Sequence, residues 1–433
     1  MFHGGVKFLD ACISHLRESF GELPDPRTGK NSRYAMADIG MAVFSMFFMQ
    51  HPSFLAFQRS LHENTGKDNT QTLFGMDKIP TDNHIRQTLD GIDPCQLEDA
   101  YFYIVDSLAE MLPSAIRNAL GGHTLIALDG SEYFCSKNIS CDSCSRRLRN
   151  DGELEYFHSF LGATIVTPTN KAVLSLPPEF VYPQDGALKQ DCEWKASLRW
   201  LERLAPRCNK YNPIYLGDDL YAKQEICTKI LGMGANFIFT CKNNSHKTLC
   251  QFRNGIVPES HWEVKGKGNQ KRKYTYSFIP ALPIRDGKDA LLVNWFEVVI
   301  SRPDGKQTYR SSFITNLLPT AENIAELASC ARARWKIENE TFNVLKNNGY
   351  HLEHNFGHGK KTLASLLVAM NLLAFSLHNA SDMVETLWQQ ARTTCGTRIR
   401  LFNVMNSLTA YIVFPSWLSL MRMIATGMPP PTV

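Results

Sequence analysis

Residues 124–131 read Thr-Leu-Ile-Ala-Leu-Asp-Gly-Ser, an apolar run that stops at an acidic residue followed by glycine. A second run of this kind, Pro-Ile-Tyr-Leu-Gly-Asp, covers residues 213–218. Short apolar runs bounded by turn residues are typical of buried strands. Side chains at the carboxyl ends of strands in an open sheet line the crevice where ligands bind. We therefore expect Asp129 and Asp218 to face one crevice; Asp219 is the alternative to Asp218 but lies farther from the strand.

A third acidic residue lies in the basic, aromatic segment Ala-Arg-Ala-Arg-Trp-Lys-Ile-Glu, residues 331–338. Arg334 and Glu338 are four residues apart and share one face of a helix, which a surface ion pair alone would also explain. Glu340 lies about 200° around an α-helix from Glu338, so both cannot serve one site. Carboxylates gathered from two strands and a late helix suit two divalent metals, and a pair of metals suits the cleavage and joining of phosphodiester bonds.

The hydrophobic pattern of the middle of the chain predicts a mixed α/β sheet covered by helices. Apolar runs predict strands at 125–128, 160–166, 173–176, 214–216 and 237–240, and helical spacing predicts helices over 192–204 and 222–231. Farther on, the turn Pro-Asp-Gly-Lys at 303–306 lies between apolar runs at 298–300 and 312–314, which predicts a hairpin.

These patterns divide the chain into five regions. We predict a helical N-terminal domain with a candidate DNA contact over residues 1–118 and the first part of an α/β core over residues 119–256. A β-rich insertion is predicted over residues 257–318, the last helices of the core over residues 319–380 and a C-terminal helical tail over residues 381–433.

The composition is that of a folded protein with a modest positive charge. The chain has 433 residues, of which 44% are hydrophobic, and a net charge of +4. Such a charge permits nucleic-acid binding without requiring it, so local patches must decide. The longest apolar stretch, near residues 39–49, is shorter than the roughly 20 residues that a membrane helix needs, so we expect a buried helix and no membrane partner. Twelve cysteines without a signal-peptide pattern favour reduced thiols.

Three cysteines fall within ten positions: Cys135, Cys141 and Cys144. The Cys141-x2-Cys144 spacing is usual in zinc loops, and Cys192 or His158 would supply a fourth ligand. Plain reduced thiols are the alternative to structural zinc. The histidines at 351, 354 and 358 are interpreted as part of a polar turn before a helix rather than as metal ligands.

A basic run in the predicted insertion, Lys271-Arg272-Lys273, is a candidate for contact with the DNA backbone. A solvated loop is the other interpretation of this run.

The chain resembles prokaryotic insertion-sequence transposases of the DDE type, in the group with a Tyr-x2-Arg-x3-Glu-x6-Lys signature and an RNase H-like core. The resemblance rests on Arg334-Trp335-Lys-Ile-Glu338 with Phe342 and Lys346, and on the segments at 128–131, 217–221 and 79–82. Ala331 stands where the signature has Tyr, and Lys346 lies one position late. Glu340 is the alternative for the Glu of the signature, whereas the ungapped match from Arg334 favours Glu338, which we prefer.

The resemblance implies a function and a set of partners. Asp129, Asp218 and Glu338 would hold two Mg²⁺ or Mn²⁺ ions that cleave the element's ends and join them to target DNA. Arg334 and Lys346 would neutralise phosphates, and Trp335 would be either a core residue or a surface on which a base stacks. The partner would be double-stranded DNA bound by a dimer, in the prokaryotic cytoplasm at the nucleoid. A DNA-binding remnant without catalysis, favoured by Ala331, and an RNase H-like nuclease are the alternatives.

Overall fold

The computed structural model describes residues 7–28, 33–62, 66–183 and 191–428. Residues 429–433 of the predicted C-terminal tail lie outside this part of the chain. The described residues form one long mixed sheet and a helical layer built from both ends of the chain.

The N-terminal region is helical up to the first strand, as the sequence predicts. Its helices are α1 (Lys7–Gly21), α2 (Met36–Phe48), α3 (Phe54–His62), α4 (Gly66–Phe74), α5 (Asp82–Leu89), α6 (Glu98–Met111) and α7 (Pro113–Ile116). In α1, the apolar residues Phe8, Cys12 and Leu16 are all buried, because their spacing puts them on one face of the helix.

The mixed α/β class is confirmed, and the sheet is consistent with an RNase H-like fold. The strands are β1 (Thr124–Ser136), β2 (Ser145–Leu148), β3 (Leu154–Val166), β4 (Val173–Ser175), β5 (Glu179–Phe180), β6 (Pro213–Gly217), β7 (Asn236–Thr240), β8 (Glu259–Lys265), β9 (Arg272–Pro283), β10 (Leu292–Ser301) and β11 (Gln307–Thr315). Their order is β2-β3-β1-β6-β7-β11-β10-β9-β8, and β4 and β5 also pair with β3. Strands β1, β6 and β7 are parallel neighbours. Helices α8 (Glu193–Cys208), α9 (Gln224–Gly232) and α10 (Lys247–Arg253) lie between strands in the sequence.

Strand β1 does not end at Asp129, which corrects the expectation from sequence. It continues to Ser136, because β3 pairs with it antiparallel from Leu125 as far as Ser136. Leu128 is the last fully buried residue of the apolar run, and the four residues after it are only half-buried, so they are not restricted to apolar types. Asp129 therefore lies inside a strand, at the point where that strand leaves the fully buried core.

The region predicted as a β-rich insertion extends the same sheet. Strands β8 to β11 form an antiparallel meander, and β11 pairs antiparallel with β7. The predicted hairpin at 303–306 joins β10 to β11, whereas β8 and β9 were predicted only as part of a β-rich region and not as individual strands. The hairpin formed by β8 and β9 is thus the far edge of the same sheet that holds β1 and β6.

The second half of the helical layer comprises α11 (Ile324–Arg332), α12 (Asn343–Asn347), α13 (Leu363–Val384), α14 (Thr386–Cys395), α15 (Arg398–Tyr411) and α16 (Trp417–Thr426). Among the described residues, the helix that is long and apolar enough to span a membrane is α13 and not the helix that holds the stretch near residues 39–49. By length and composition α13 is able to cross a membrane, but 94% of its apolar window is buried inside the protein. It packs against α2, α6 and β4, and so joins the helical layer to the sheet.

Both ends of the chain contribute to this helical core. The ring of Phe48 in α2 lies 5.1 Å from that of Trp417 in α16 and 6.1 Å from that of Trp388 in α14. The predicted N-terminal domain and C-terminal tail therefore share one hydrophobic core, and α13 continues past residue 380.

The contact between α1 and α2 depends on Gly40, because a Cβ there would lie 2.6 Å from the Phe20 side chain. We expect Gly40→Ala to lower the free energy of unfolding by about 1–3 kcal/mol through overpacking. The matched control is Gly232→Ala at the end of α9, where an added Cβ meets nothing within 4 Å. It should be neutral or stabilising by less than about 1 kcal/mol. Urea unfolding measures both, and equal effects of the two changes would contradict the packing account.

Candidate active site

Asp129 and Asp218 lie at matching positions on adjacent parallel strands. Ala127 of β1 is in register with Leu216 of β6, and each aspartate comes two residues later in its own strand or just beyond it. The Asp129 side chain is 17% exposed. Asp218 lies at the carboxyl end of β6, where its Oδ1 accepts a hydrogen bond from the Leu220 amide (2.8 Å). The structure thus brings together the two aspartates selected from the sequence.

Arg334 links Asp129 to Glu338. Its Nη1 lies 3.3 Å from Asp129 Oδ2, and its Nη2 lies 2.8 Å from Glu338 Oε1. The Arg334 side chain is 19% exposed, whereas the Glu338 side chain is 50% exposed and open to a ligand. One planar cation therefore holds a strand carboxylate and a helix carboxylate next to each other.

Glu340 points elsewhere. Its Oε1 lies 3.7 Å from Nζ of Lys171, in the turn after β3, and it lines a separate surface pocket with Val344 and Asn348. Of the two candidate glutamates, the geometry places Glu338 beside Asp129.

The segment that carries Glu338 is not the regular α-helix expected from sequence. After α11 it forms a 3₁₀ turn at Ala333–Trp335 and a π-helical turn at Ile337–Phe342 before α12 begins. Short π-helical segments are rare and frequently occur at functional sites. The prediction of a shared face for Arg334 and Glu338 holds, because these two side chains pair.

Gly162 allows this segment to approach the sheet. It stands directly opposite Asp129 in the β1–β3 pairing, so a side chain there would project from the same face of the sheet. A Cβ at Gly162 would lie 2.7 Å from the Phe342 ring. Phe342 is buried, and its ring meets that of Phe160 edge-on at 5.8 Å. The absence of a side chain at Gly162 thus fixes the depth at which the Glu338 segment is seated.

Glu193 is a fourth carboxylate in the site that sequence reasoning missed. It is the first residue of α8, and it lies so close to Gly130 that a Cβ there would clash with its carboxylate. Its Oε1 accepts a hydrogen bond from the hydroxyl of Tyr221 (2.8 Å), which is buried. Acidic residues are common in the first turn of helices because of the helix dipole, so the sequence carried no signal for a site here.

The electrostatics of the site favour a cation. Burial raises the pKa of Asp129 to about 7; Arg334 opposes this rise, and the carboxyls of Glu193, Glu338 and Asp218 add to it. Burial also raises the pKa of Glu193, which the Tyr221 hydrogen bond opposes and Asp218 increases. Four carboxyl groups around one guanidinium carry excess negative charge, which bound divalent cations would compensate.

Asp219, the alternative to Asp218, is occupied away from this site. Its Oδ1 accepts a hydrogen bond from the Lys242 amide (2.5 Å) and lies 3.1 Å from Nε2 of His246. It holds the loop after β7 in place.

The predicted DNA-contact residues near Glu338 differ in their surroundings. Trp335 is 48% exposed, so the core alternative is wrong. It borders an open cavity together with Arg334, Ala331 and Tyr309. Lys346 lies in α12, where its Nζ pairs with Glu353 at 2.8 Å. Trp335 therefore offers a surface for stacking, whereas Lys346 already has an anionic partner.

The basic run Lys271-Arg272-Lys273 lies at the turn between β8 and β9, on the outer edge of the sheet. The Lys273 ammonium lies 5.2 Å from the ring centre of Trp262, which is 62% exposed. Lys265 flanks the same turn and pairs with Glu263. An exposed edge that combines lysines with an aromatic ring is suited to a nucleic-acid backbone.

The cysteine cluster forms, but it includes His358 in place of Cys135 and Cys192. Cys141, Cys144 and His158 come together with His358, and their donor atoms all lie within 4.8 Å of one another. Cys135 does not join them, because it lies within β1 and its Sγ contacts Arg147. Cys192 is exposed and immediately precedes α8, beside the carboxylate site. His358, interpreted from sequence as part of a polar turn, is the fourth member.

Residues 193–376 match the family model described as the transposase DDE domain. The match begins at Glu193 and includes Asp218 and Glu338, whereas Asp129 lies before it. No curated protein is significantly similar to the chain.

The raised pKa of Asp129 gives stability a pH dependence. Folding lifts this pKa from about 3.8 to about 7, so the folded protein holds a proton that the unfolded chain releases between these values. In EDTA, stability should therefore fall as pH rises from about 4 to about 7, by at most about 1.4 kcal/mol per pH unit from this group. Asp129→Asn should remove that decline. Urea unfolding at pH 5 and 8 tests this, with the turn residue change Asp304→Asn as control; the same decline in both variants would contradict it.

Proposed function

We propose that this chain, whose residues 193–376 match the transposase DDE domain, cleaves DNA at the ends of an insertion sequence and joins those ends to target DNA. The observation that carries the proposal is the bridge from Asp129 through Arg334 to Glu338, beside Asp218. These three carboxylates come from two adjacent strands and one late helix. They are the donors that phosphodiester chemistry with divalent ions requires.

The donor set fits Mg²⁺ or Mn²⁺ better than softer ions. Asp129, Asp218 and Glu338 offer carboxylate oxygens. Glu193 adds a fourth carboxylate, close enough to Asp129 to interact with it electrostatically. Hard divalent cations take oxygen ligands and keep several waters, so three or four carboxylates and a substrate phosphate suffice for two ions. When bound, such a pair supplies an activated oxygen nucleophile and stabilises the leaving oxygen.

The chain's own residues then position the DNA strand. Arg334 faces the carboxylates with a planar fork that matches phosphate oxygens, and cations at the carboxylates would release it from them. Trp335, the exposed neighbour, would stack on a base beside the cleaved bond. Lys346 would need to leave Glu353 to reach a phosphate, so we assign it a smaller part than Arg334.

The partner is double-stranded DNA, namely the ends of the element and the target. The exposed basic edge at the β8–β9 turn would bind the backbone away from the site of cleavage. Both ends of an element must be processed together, so we propose a dimer on DNA. The place of action would be the prokaryotic cytoplasm, on the nucleoid, without a membrane partner.

Replacing one carboxylate of the site should abolish cleavage without abolishing DNA binding. Loss of groups that only orient metal ligands costs about 10–100-fold, so loss of a ligand should cost at least about 100-fold. We expect Asp129→Asn and Glu338→Gln each to lower Mg²⁺- or Mn²⁺-dependent cleavage of a duplex carrying the element's end by at least that factor. Electrophoretic mobility shift with the same duplex should show nearly unchanged affinity.

The matched control is Glu340→Gln, on the same helical turn but directed at Lys171. It should cleave within about threefold of the unmodified protein, since ordinary surface substitutions have small effects. Equal loss in Glu338→Gln and Glu340→Gln would remove Glu338 from its proposed role. An unmodified protein that binds ends but never cleaves would support the DNA-binding remnant that Ala331 suggests. Cleavage without joining to a second duplex would support a nuclease.

The basic edge makes a separate prediction about salt. Each phosphate contact contributes about 0.9 to the slope of log affinity against log salt concentration. Replacing Lys271 and Lys273 with Ala should flatten this slope by up to about 1.8 and weaken binding to all sequences alike. Fluorescence anisotropy over a range of salt concentrations measures the slope.

The control removes two positive charges from the turn at the other end of β9, Arg285→Ala with Lys288→Ala. This turn joins β9 to β10 and lies on the opposite end of these strands. The control slope should stay near that of the unmodified protein. If the two double variants behave alike, the β8–β9 turn is a solvated loop and DNA runs elsewhere.

A further inference from the structure

We propose that the chain carries a structural zinc ion bound by Cys141, Cys144, His158 and His358, apart from the carboxylate site. The four ligands come from three segments. The two cysteines lie in the loop between β1 and β2, His158 lies in β3, and His358 lies in the loop before α13. Cys144 and His158 are buried, and the other two ligands are partly buried.

The separations between donor atoms are those of ligands around one tetrahedral ion. The Sγ atoms of Cys141 and Cys144 lie 3.7 Å apart. Nε2 of His158 lies 3.5 Å from the Cys141 sulfur and 3.4 Å from the Cys144 sulfur, and Nε2 of His358 lies 3.5 Å from the latter. Zinc bonds of about 2.3 Å to sulfur and 2.0–2.1 Å to nitrogen, at the tetrahedral angle, give about 3.8 Å for S···S and about 3.6 Å for S···N.

Other uses of these residues fit less well. A disulfide needs sulfurs about 2.05 Å apart, and both cysteines are free thiols here. A two-iron cluster with two Cys and two His ligands divides them between two irons, with both cysteines on one and both histidines on the other. Here each Cys144–His distance is that of neighbouring ligands on one ion. Four protein donors leave no open position, which is the mark of a structural site rather than a catalytic one.

The ion would join the strand that bears Asp129 to the segment that follows Glu338. The loop holding Cys141 and Cys144 continues directly from β1, and His358 lies between α12 and the core helix α13. The His358 ring already packs against Phe134 of β1, with ring centres 4.5 Å apart. A bond to zinc would fix this contact and so hold β1, which bears Asp129, against the loop that follows α12.

The site differs in chemistry from the carboxylate cluster, so the two should select different metals. Two thiolates and two imidazoles favour zinc, whereas carboxylate oxygens favour Mg²⁺ or Mn²⁺. The zinc proposal therefore stands whether or not the chain cleaves DNA.

The test uses the intact chain purified without chelators. Elemental analysis by mass spectrometry should find about one zinc per chain. His358→Gln and Cys144→Ser should each lower that value at least about fivefold, while Cys135→Ser, Cys192→Ser and Asp129→Asn should retain it. So that the test does not depend on the folding of the ligand variants, the unmodified chain is also exchanged with Co²⁺. Tetrahedral cobalt bound by thiolate gives visible absorption bands together with near-ultraviolet sulfur-to-metal charge transfer.

The outcomes are distinct. Zinc in the unmodified chain together with the tetrahedral Co²⁺ spectrum supports the site. The absence of both overturns it. Zinc that survives in both His358→Gln and Cys144→Ser also overturns it, since the ion would then be held elsewhere. Retention of zinc by an Asp129→Asn variant that no longer cleaves would show that the two metal sites are independent.

Discussion

The guanidinium of Arg334 is the element on which the arrangement of the candidate site depends. It contacts Asp129 on a central strand and Glu338 on a helical segment more than 200 residues later in the chain. Four acidic side chains around this site would repel one another if all were ionised, and burial already raises the pKa of Asp129. A fixed cation makes that concentration of negative charge tolerable. The site therefore attracts further cations, because each added positive charge relieves the repulsion among the carboxylates.

Close packing explains why the helical segment can reach the sheet at all. Gly162 lies opposite Asp129, and the Phe342 ring occupies the space that a side chain would fill. The backbone adopts a π-helical turn between Ile337 and Phe342, so that a buried phenylalanine and an exposed glutamate both reach their places. An irregular turn of this kind is retained where the surrounding contacts determine it.

The helical layer acts as the support for both proposed metal sites. Helix α13 is buried on nearly all sides and receives contacts from the first helices, the last helices and the sheet. His358 and Ser365 lie near its start, and Ser365 hydrogen bonds the hydroxyl of Tyr133 in β1 (3.1 Å). The core helix and the strand bearing Asp129 are thus held together by packing, by a hydrogen bond and, in our proposal, by zinc.

Patterns in the sequence predicted the α/β class, buried strands leading to Asp129 and Asp218, and a shared helix face for Arg334 and Glu338. Each of these follows from local signals, since apolar runs and helical spacing act over a few residues. The choice between Glu338 and Glu340 required the three-dimensional arrangement, because it depends on which side chain faces β1 and which faces Lys171. The tertiary structure alone revealed Glu193 and His358, which join their sites across long separations in the chain, such as 214 residues between Cys144 and His358. It also showed that the two ends of the chain share one core. Contacts of this kind are fixed by the packing of whole elements, for which a local pattern carries no information.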